Sequence, residues 1–159
     1  MSLYEIYTDG SSKGNGTELM TGGWGYIVFK DGKEIFCDSG YKFYATNNQM
    51  ELEAAIRALY DINHCNWLNI SDDDEFIVYS DSAYLVNCYQ SKWYVNWEKN
   101  NWINSKKQPV LNKELWEELI PYFKSGVSFM KVKGHSTNEL NNRVDYLAQH
   151  AAEKGAIIK

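Results

Sequence analysis

Cysteine and proline are both scarce in this chain of 159 residues, which has three cysteines and two prolines. The cysteines, Cys37, Cys65 and Cys88, are odd in number, far apart and contain no CxxC pair. This spacing argues against a disulfide framework and against a thiolate zinc site, and it suits a reducing compartment. We therefore expect a cytoplasmic protein.

The chain also lacks any hydrophobic run that approaches the length of a membrane span, and its N-terminus has no signal-peptide pattern. It shows no internal repeat, low-complexity tract or linker. Its 44% hydrophobic and 23% charged residues are ordinary for a globular protein. The sequence therefore predicts one domain over residues 1–159, acting as a monomer with no membrane partner.

Positive charge is in deficit, since the formal net charge is −5. This balance argues against a generic nucleic-acid binder. The charge is unevenly distributed, however. The stretch Ser71–Glu75 is an acidic knot, whereas the stretch from Ser91 to Lys113 has five lysines and one glutamate. Such a local basic patch can still steer a polyanion.

Alternating and helical periodicities predict an α/β fold with a mixed sheet, antiparallel at its start, and helices on its faces. Asp31-Gly32 is a hairpin turn between the second and third strands. Thr46 and Gln49 form a capping box, and Asn112 is expected to cap a later helix. The predicted strands are 3–9, 22–30, 33–41, 76–79 and 127–132, and the predicted helices are 46–63, 82–90, part of 92–102, 113–123 and 139–153.

The first strand is expected to end at Asp9 and to break into a loop of glycine, serine and asparagine. Its apolar residues have no clean polar face, which predicts a central strand. An isolated Asp-Gly pair is most often a turn. Its interpretation therefore depends on whether other carboxylates converge on Asp9.

Four acids recur at comparable places. Asp9 ends the first predicted strand and Asp81 ends the fourth, and parallel neighbours would bring both to one edge of the sheet. Glu51 and Asp145 lie beside the apolar stripes of two helices. Singly, each of these two is most simply a boundary residue. Together, clustered carboxylates repel unless a cation holds them, and all-oxygen ligands suit Mg²⁺ or Mn²⁺.

Five ordered motifs resemble type 1 ribonuclease H from about Leu3 to Glu153. The motifs are Tyr7-Thr8-Asp9-Gly10-Ser11, Thr46-Asn47-Asn48-Gln49-Met50-Glu51, Tyr79-Ser80-Asp81-Ser82, Val132-Lys133-Gly134-His135 and Asn141-Asn142-Arg143-Val144-Asp145. The resemblance implies a ribonuclease H-like fold, with a five-stranded mixed sheet whose first three strands are antiparallel and helices on both faces. It also implies an endonuclease that hydrolyses the RNA strand of RNA–DNA hybrids, leaving 5′-phosphate and 3′-hydroxyl ends, and that removes RNA primers and hybrids.

The same resemblance assigns roles to individual residues. Asp9, Glu51, Asp81 and Asp145 would be catalytic metal ligands for two Mg²⁺ ions, with Mn²⁺ as a possible substitute and Asp9 shared by both. His135 would assist proton transfer or product release from a loop.

Substrate contacts are implied in the same way. Residues that match hybrid-binding positions are Asn15, Asn47, Asn48 and Asn141, and those that match a pocket for a DNA-strand phosphate are Thr46 and Asn112. Trp93 lies in a Trp- and Lys-bearing protrusion at about 91–112 that resembles the family's DNA-strand clamp. Turn, cap and packing roles remain open for all of these residues.

Three departures from the family pattern concern affinity rather than catalysis. Gln49 stands where many relatives carry Arg, Ala83 stands where many carry Gln, and Asn100-Asn101 makes the protrusion less basic. They predict weaker, less salt-sensitive hybrid binding. Other functions remain open: another carboxylate-metal nuclease of this fold, a non-catalytic hybrid-binding module, or a small-molecule phosphohydrolase.

Overall fold

A computed structural model describes residues 1–14, 20–132 and 139–158. The order of strands and helices agrees with the sequence prediction, and α5 runs further than expected. The strands are β1 Leu3–Lys13, β2 Thr21–Lys30, β3 Lys33–Phe43, β4 Glu75–Ser80 and β5 Ser128–Lys131. The helices are α1 Asn47–Asn63, α2 Ala83–Ser91, α3 Trp93–Lys99, α4 Lys113–Lys124 and α5 Glu139–Ile158.

The five strands form one mixed sheet in the order β3-β2-β1-β4-β5. β1, β2 and β3 are antiparallel neighbours, whereas β4 runs parallel to β1 and β5 runs parallel to β4. The prediction of a central first strand is therefore confirmed. On the core face of β1, Tyr4 and Ile6 are fully buried.

The predicted β2–β3 hairpin turn is present at Asp31-Gly32. Both residues have positive φ, 51° at Asp31 and 83° at Gly32, as a two-residue loop that matches the strand twist requires. The Asp31 Oδ1 atom also accepts a hydrogen bond of 2.8 Å from the backbone N–H of Leu3. This bond ties the turn to the start of the central strand.

The prediction that β1 ends at Asp9 is wrong. The parallel ladder with β4 stops at Tyr7, opposite Tyr79, but the antiparallel ladder with β2 continues through Asp9 to Lys13. β2 extends beyond the end of β4, and its pairing keeps the Asp-Gly-Ser segment extended. Asp9 thus lies within β1, two residues after Tyr7, which is the last residue of β1 that pairs with β4.

Helices α1 and α5 pack on opposite faces of the sheet, and a glycine on each face lets the helix there approach the strands closely. A Cβ added at Gly10 would lie 2.3 Å from the backbone N of Glu51, in α1. One added at Gly23 would lie 2.0 Å from the carbonyl oxygen of Ala148, in α5. Gly23 pairs with Ser11, the neighbour of Gly10, and adjacent strand residues face opposite ways.

The core lies between the sheet and helices α1, α2 and α4. Trp116 and Leu119 of α4 are fully buried, and Phe123 stacks edge-on against Phe129 of β5 at 4.8 Å between ring centroids. The Trp97 ring of α3 lies 5.5 Å from that of Trp116, which fastens the predicted protrusion to the core.

Asn112 occupies the N-cap position of α4, but the prediction that its side chain caps the helix is wrong. Its backbone is left-handed, with φ 61° and ψ 31°, and its side chain makes no capping hydrogen bond. The Thr46–Gln49 capping box of α1 is confirmed, with hydrogen bonds of 3.2 and 2.9 Å. Among the described residues, no helix is both long and apolar enough to cross a membrane.

Candidate active site

Three of the four predicted acids come together at one edge of the sheet. Asp9, Glu51 and Asp81 each offer a carboxylate oxygen, and these oxygens all lie within 4.8 Å of one another. Asp81 directly follows β4, so the parallel strands deliver it beside Asp9. The close contact of α1 with Gly10 brings Glu51 to the same point.

Two of the three acids are buried, and one carboxylate oxygen of Glu51 has no described hydrogen-bond donor. Asp9 is 3% exposed and Glu51 is 7% exposed, while Asp81 is the most exposed of the three. Asp9 Oδ1 accepts a bond of 2.9 Å from the backbone N–H of Gly10. Glu51 Oε2 is buried and has no hydrogen-bond partner within the part of the chain that the structure describes. A buried carboxylate oxygen without a donor is energetically costly.

Burial and mutual repulsion therefore raise the pKa values of all three acids. Burial, followed by the charge of Asp81, raises the pKa of Asp9 to about 8. Burial and the charge of Asp9 raise the pKa of Glu51, and burial and the charge of Asp145 raise that of Asp81. A divalent cation with oxygen ligands would favour the ionised forms, so this donor set fits Mg²⁺ or Mn²⁺.

Asp145 lies beside this group rather than within it. It projects from α5, and its charge contributes to the raised pKa values of Asp9 and Asp81. Its two carboxylate oxygens both accept hydrogen bonds of 3.0 Å from Nε2 of Gln149. Of the four predicted ligands, three thus form one group and the fourth is their half-buried neighbour.

The predicted contacts to nucleic acid that the structure describes lie at the starts of helices α1, α3, α4 and α5. Thr46, Asn47 and Asn48 are exposed, and Asn141 is buried near the start of α5. Asn15 and His135 lie outside the described residues.

Thr46 and Asn112 belong to one hydrogen-bonded network. Gln49, the partner of Thr46 in the capping box, donates from Nε2 to Asn112 Oδ1 at 3.2 Å. Asn112 Nδ2 in turn donates to the Tyr84 hydroxyl at 3.1 Å. Trp116 Nε1 also donates to this hydroxyl at 3.1 Å, which anchors the network in the core. The network joins the beginnings of α1 and α4.

Sequence reasoning missed Tyr84 and Gln149. The four-residue spacing of Asp145 and Gln149 is a recognisable helix-pair signal. No local pattern indicates Tyr84, because its partners are distant in the chain.

The protrusion has one tryptophan that is clearly accessible. Trp93 is 39% exposed, with its ring centroid 6.4 Å from that of Trp97. Trp97 and Trp102 are partly buried against the core. Packing therefore accounts for Trp97 and Trp102, and it leaves a face of Trp93 open.

The family model described as RNase H matches residues 2–153. The chain belongs to the ribonuclease H family. The resemblance seen in the five motifs is confirmed, and the protein is an endoribonuclease.

Named members of the ribonuclease H family are similar along nearly the whole chain. A ribonuclease H of Clostridium botulinum is 43% identical over 155 residues, covering 94% of this chain and 95% of the relative. One from Caldanaerobacter subterraneus is 42% identical, covering 96% and 92%. The solved structure of LC11-RNase H1 in complex with an RNA/DNA hybrid is 30% identical with a TM-score of 0.65, covering 95% and 97%. The predicted ribonuclease H-like fold is thereby confirmed.

Proposed function

We propose that the protein hydrolyses the RNA strand of RNA–DNA hybrids, with two divalent cations held by Asp9, Glu51, Asp81 and Asp145. The observation that carries this proposal is the group of three carboxylates, two of them buried, whose oxygens lie within 4.8 Å of one another, with Glu51 Oε2 lacking a described donor. The similarity to LC11-RNase H1, whose solved complex contains an RNA/DNA hybrid, supports the substrate class.

The ions are proposed to be Mg²⁺, with Mn²⁺ as a substitute, and Asp9 would be the ligand that both share. Paired ions of this kind supply activation of the attacking water and stabilisation of the leaving oxygen, which gives 5′-phosphate and 3′-hydroxyl products. The contribution of the chain is to hold the carboxylates on packed strands and helices. β1 fixes Asp9, the end of β4 fixes Asp81, and α1 fixes Glu51.

Hybrid binding is proposed to use polar residues at the starts of α1, α4 and α5, of which Thr46, Asn47 and Asn48 are exposed. Thr46 and Asn112 would hold a phosphate of the DNA strand. Both are hydrogen-bonded to Gln49, which fixes their positions relative to each other. The residues proposed to read the hybrid are Asn15, Asn47, Asn48 and Asn141. The RNA 2′-hydroxyl distinguishes that strand from DNA. Trp93 would present its open face to the DNA strand.

The remaining assignments complete the proposal. His135 would assist proton transfer or product release. Residues 1–159 would act as one catalytic domain, with the protrusion at about 91–112. The enzyme would work as a cytoplasmic monomer that removes RNA primers and hybrids.

Cleavage of an end-labelled RNA–DNA hybrid with and without Mg²⁺ tests the proposal. Single-stranded RNA, duplex RNA and duplex DNA serve as controls. We expect Mg²⁺-dependent cleavage of the hybrid alone, in its RNA strand. Tight hybrid binding without cleavage would favour a binding module, and cleavage of duplex DNA would favour another nuclease of this fold.

A further inference from the structure

The side chains of Gln149 and Asp145 form a hydrogen-bonded pair on α5 in which one nitrogen contacts both carboxylate oxygens. The Gln149 side-chain nitrogen lies 3.0 Å from each of the two Asp145 carboxylate oxygens, so one amide group spans the whole carboxylate. Both residues are half-buried on α5. Asp145 is therefore the acid of the four whose carboxylate accepts hydrogen bonds from a side-chain amide in the described structure.

The backbone beneath this pair has little freedom to move. Ala148, between Asp145 and Gln149, sits so close to β2 that a Cβ at Gly23 would lie 2.0 Å from its carbonyl oxygen. One at Gly25 would lie 2.7 Å from Cβ of Leu147. Since α5 is held against the sheet at this point, the remaining freedom of Asp145 is rotation of its side chain. The Gln149 amide restricts that rotation.

From this geometry, we propose that Gln149 is a positioning residue that holds the Asp145 carboxylate beside Asp9 and Asp81 for divalent-cation binding. The inference rests on the proposed function, because it requires that the acids bind cations.

The chemistry of an amide suits this role. A lysine or arginine at position 149 would neutralise Asp145 and compete with a cation. The glutamine N–H donates without adding positive charge, so the full negative charge of Asp145 remains available. Groups that hydrogen-bond to a metal ligand in this way set its orientation, and losing one typically lowers metal affinity about 10- to 100-fold.

The test is Gln149→Met, which keeps the length of the side chain and removes the donor. Mn²⁺ binding is counted from the EPR signal of the free ion, with protein alone and with a hybrid whose RNA strand is 2′-O-methylated to prevent cleavage. Arg57→Met is the matched control, because it breaks the 3.1 Å i,i+4 pair of Arg57 with Glu53 in α1. Gln149→Met removes one helix pair, whereas Arg57→Met also removes a contact with the Trp24 ring and leaves the buried Glu53 unpaired, so Arg57→Met should lower thermal stability at least as much.

We expect Gln149→Met to weaken the lower-affinity Mn²⁺ binding step by about tenfold or more, with no such change in Arg57→Met. The Mg²⁺ concentration for half-maximal hybrid cleavage should rise by a similar factor, while KM for the hybrid at saturating Mg²⁺ stays within about twofold. Unchanged Mn²⁺ binding in Gln149→Met, with normal binding by the wild type, would overturn the inference. Absence of Mn²⁺ binding in the wild type would instead overturn the proposed function.

Discussion

Two clusters of acids in the molecule have pKa values that are shifted in opposite directions. In the first, Asp9, Glu51 and Asp81 come from distant parts of the chain, and burial raises their pKa values. In the second, the acidic knot Ser71–Glu75, the acids are consecutive and surface-exposed. Backbone N–H groups of Ser71 and Ser2 lower the pKa of Asp74, and the Ser71 hydroxyl lowers the pKa of Asp73.

The difference lies in the supply of hydrogen-bond donors. Asp74 accepts bonds of 2.8 Å from Ser2 N–H and 2.9 Å from Ser71 N–H. Glu51 has a buried oxygen with no donor among the described residues. The acids of the knot have their own donors, whereas a cation would stabilise the ionised form of the cluster of Asp9, Glu51 and Asp81. A run of consecutive acidic residues in the sequence therefore does not by itself mark the proposed metal site.

The largest expected effect separates the two clusters by activity. Asp9→Asn removes the proposed shared ligand, and a loss of metal stabilisation of several kcal/mol should lower kcat by about 10³-fold or more. The fold should persist, because the substitution removes repulsion. Asp73→Asn in the knot is the matched control and should keep wild-type kcat. Hybrid cleavage and circular dichroism check both variants. Substantial activity in Asp9→Asn would refute the role of this cluster.

The next effect concerns how the buried cluster is assembled. Gly10→Ala forces a Cβ to within 2.3 Å of α1 backbone atoms, so α1 and Glu51 must shift. We expect a loss of about 1–3 kcal/mol in the free energy of unfolding, together with a fall in kcat.

Gly126→Ala provides the control for this effect. It strains a positive φ of 97° in open space, so it should lower stability without lowering the kcat of the folded enzyme. Denaturant unfolding and initial cleavage rates measure the two quantities. Equal kcat values for the two glycine variants would contradict the role of the contact between Gly10 and α1 in positioning Glu51.

The third effect is a pH dependence of opposite sign in the two clusters. Asp9 has a folded pKa of about 8 against an ordinary 3.8, so the folded state retains a proton that the unfolded state loses. Metal-free stability should therefore fall as pH rises from about 4 to about 8, by up to about 1.4 kcal/mol per pH unit for one group. The knot contributes stability above pH about 4 that is lost as pH falls through its lowered pKa values.

Chemical denaturation in EDTA across this pH range measures the slope. Saturating Mg²⁺ should flatten it by favouring the ionised cluster, and Asp9→Asn should reduce it without metal. A metal-free stability that rises steadily from pH 4 to 8 would be the opposite of what the buried cluster predicts.

The smallest effect comes from the knot alone. Asp74→Asn weakens the bonds that fix the N-terminal Ser2 and the turn at Ser71, so a small loss of thermal stability is expected. Neither kcat nor its Mg²⁺ dependence should change. A shift in the Mg²⁺ dependence would show that the knot participates in metal binding.

Sequence reasoning was strongest where a pattern is local or ordered. The capping box at Thr46 and Gln49 and the turn at Asp31-Gly32 are short-range features, and both are confirmed. The convergence of Asp9 and Asp81 follows from two strands being parallel neighbours. The end of β1 was misplaced because the partner strand β2 keeps the segment after Asp9 extended, which local turn propensity does not reveal.

Side-chain partners across the fold were the least predictable. Asn112 has the residue type of an N-cap, yet tertiary contacts with Gln49 and Tyr84 take up its amide. The lack of a described donor at Glu51 Oε2 depends on how α1 packs against β1. Such contacts require the relative placement of several elements, which composition and periodicity do not specify.

Anomalous diffraction from a crystal soaked in Mn²⁺ compares the two clusters directly. We expect Mn²⁺ peaks bounded by Asp9, Glu51 and Asp81, and none at the knot. A crystal that shows Mn²⁺ at Asp72, Asp73 or Asp74 but none among Asp9, Glu51 and Asp81 would contradict the assignment of the metal site to the latter three acids.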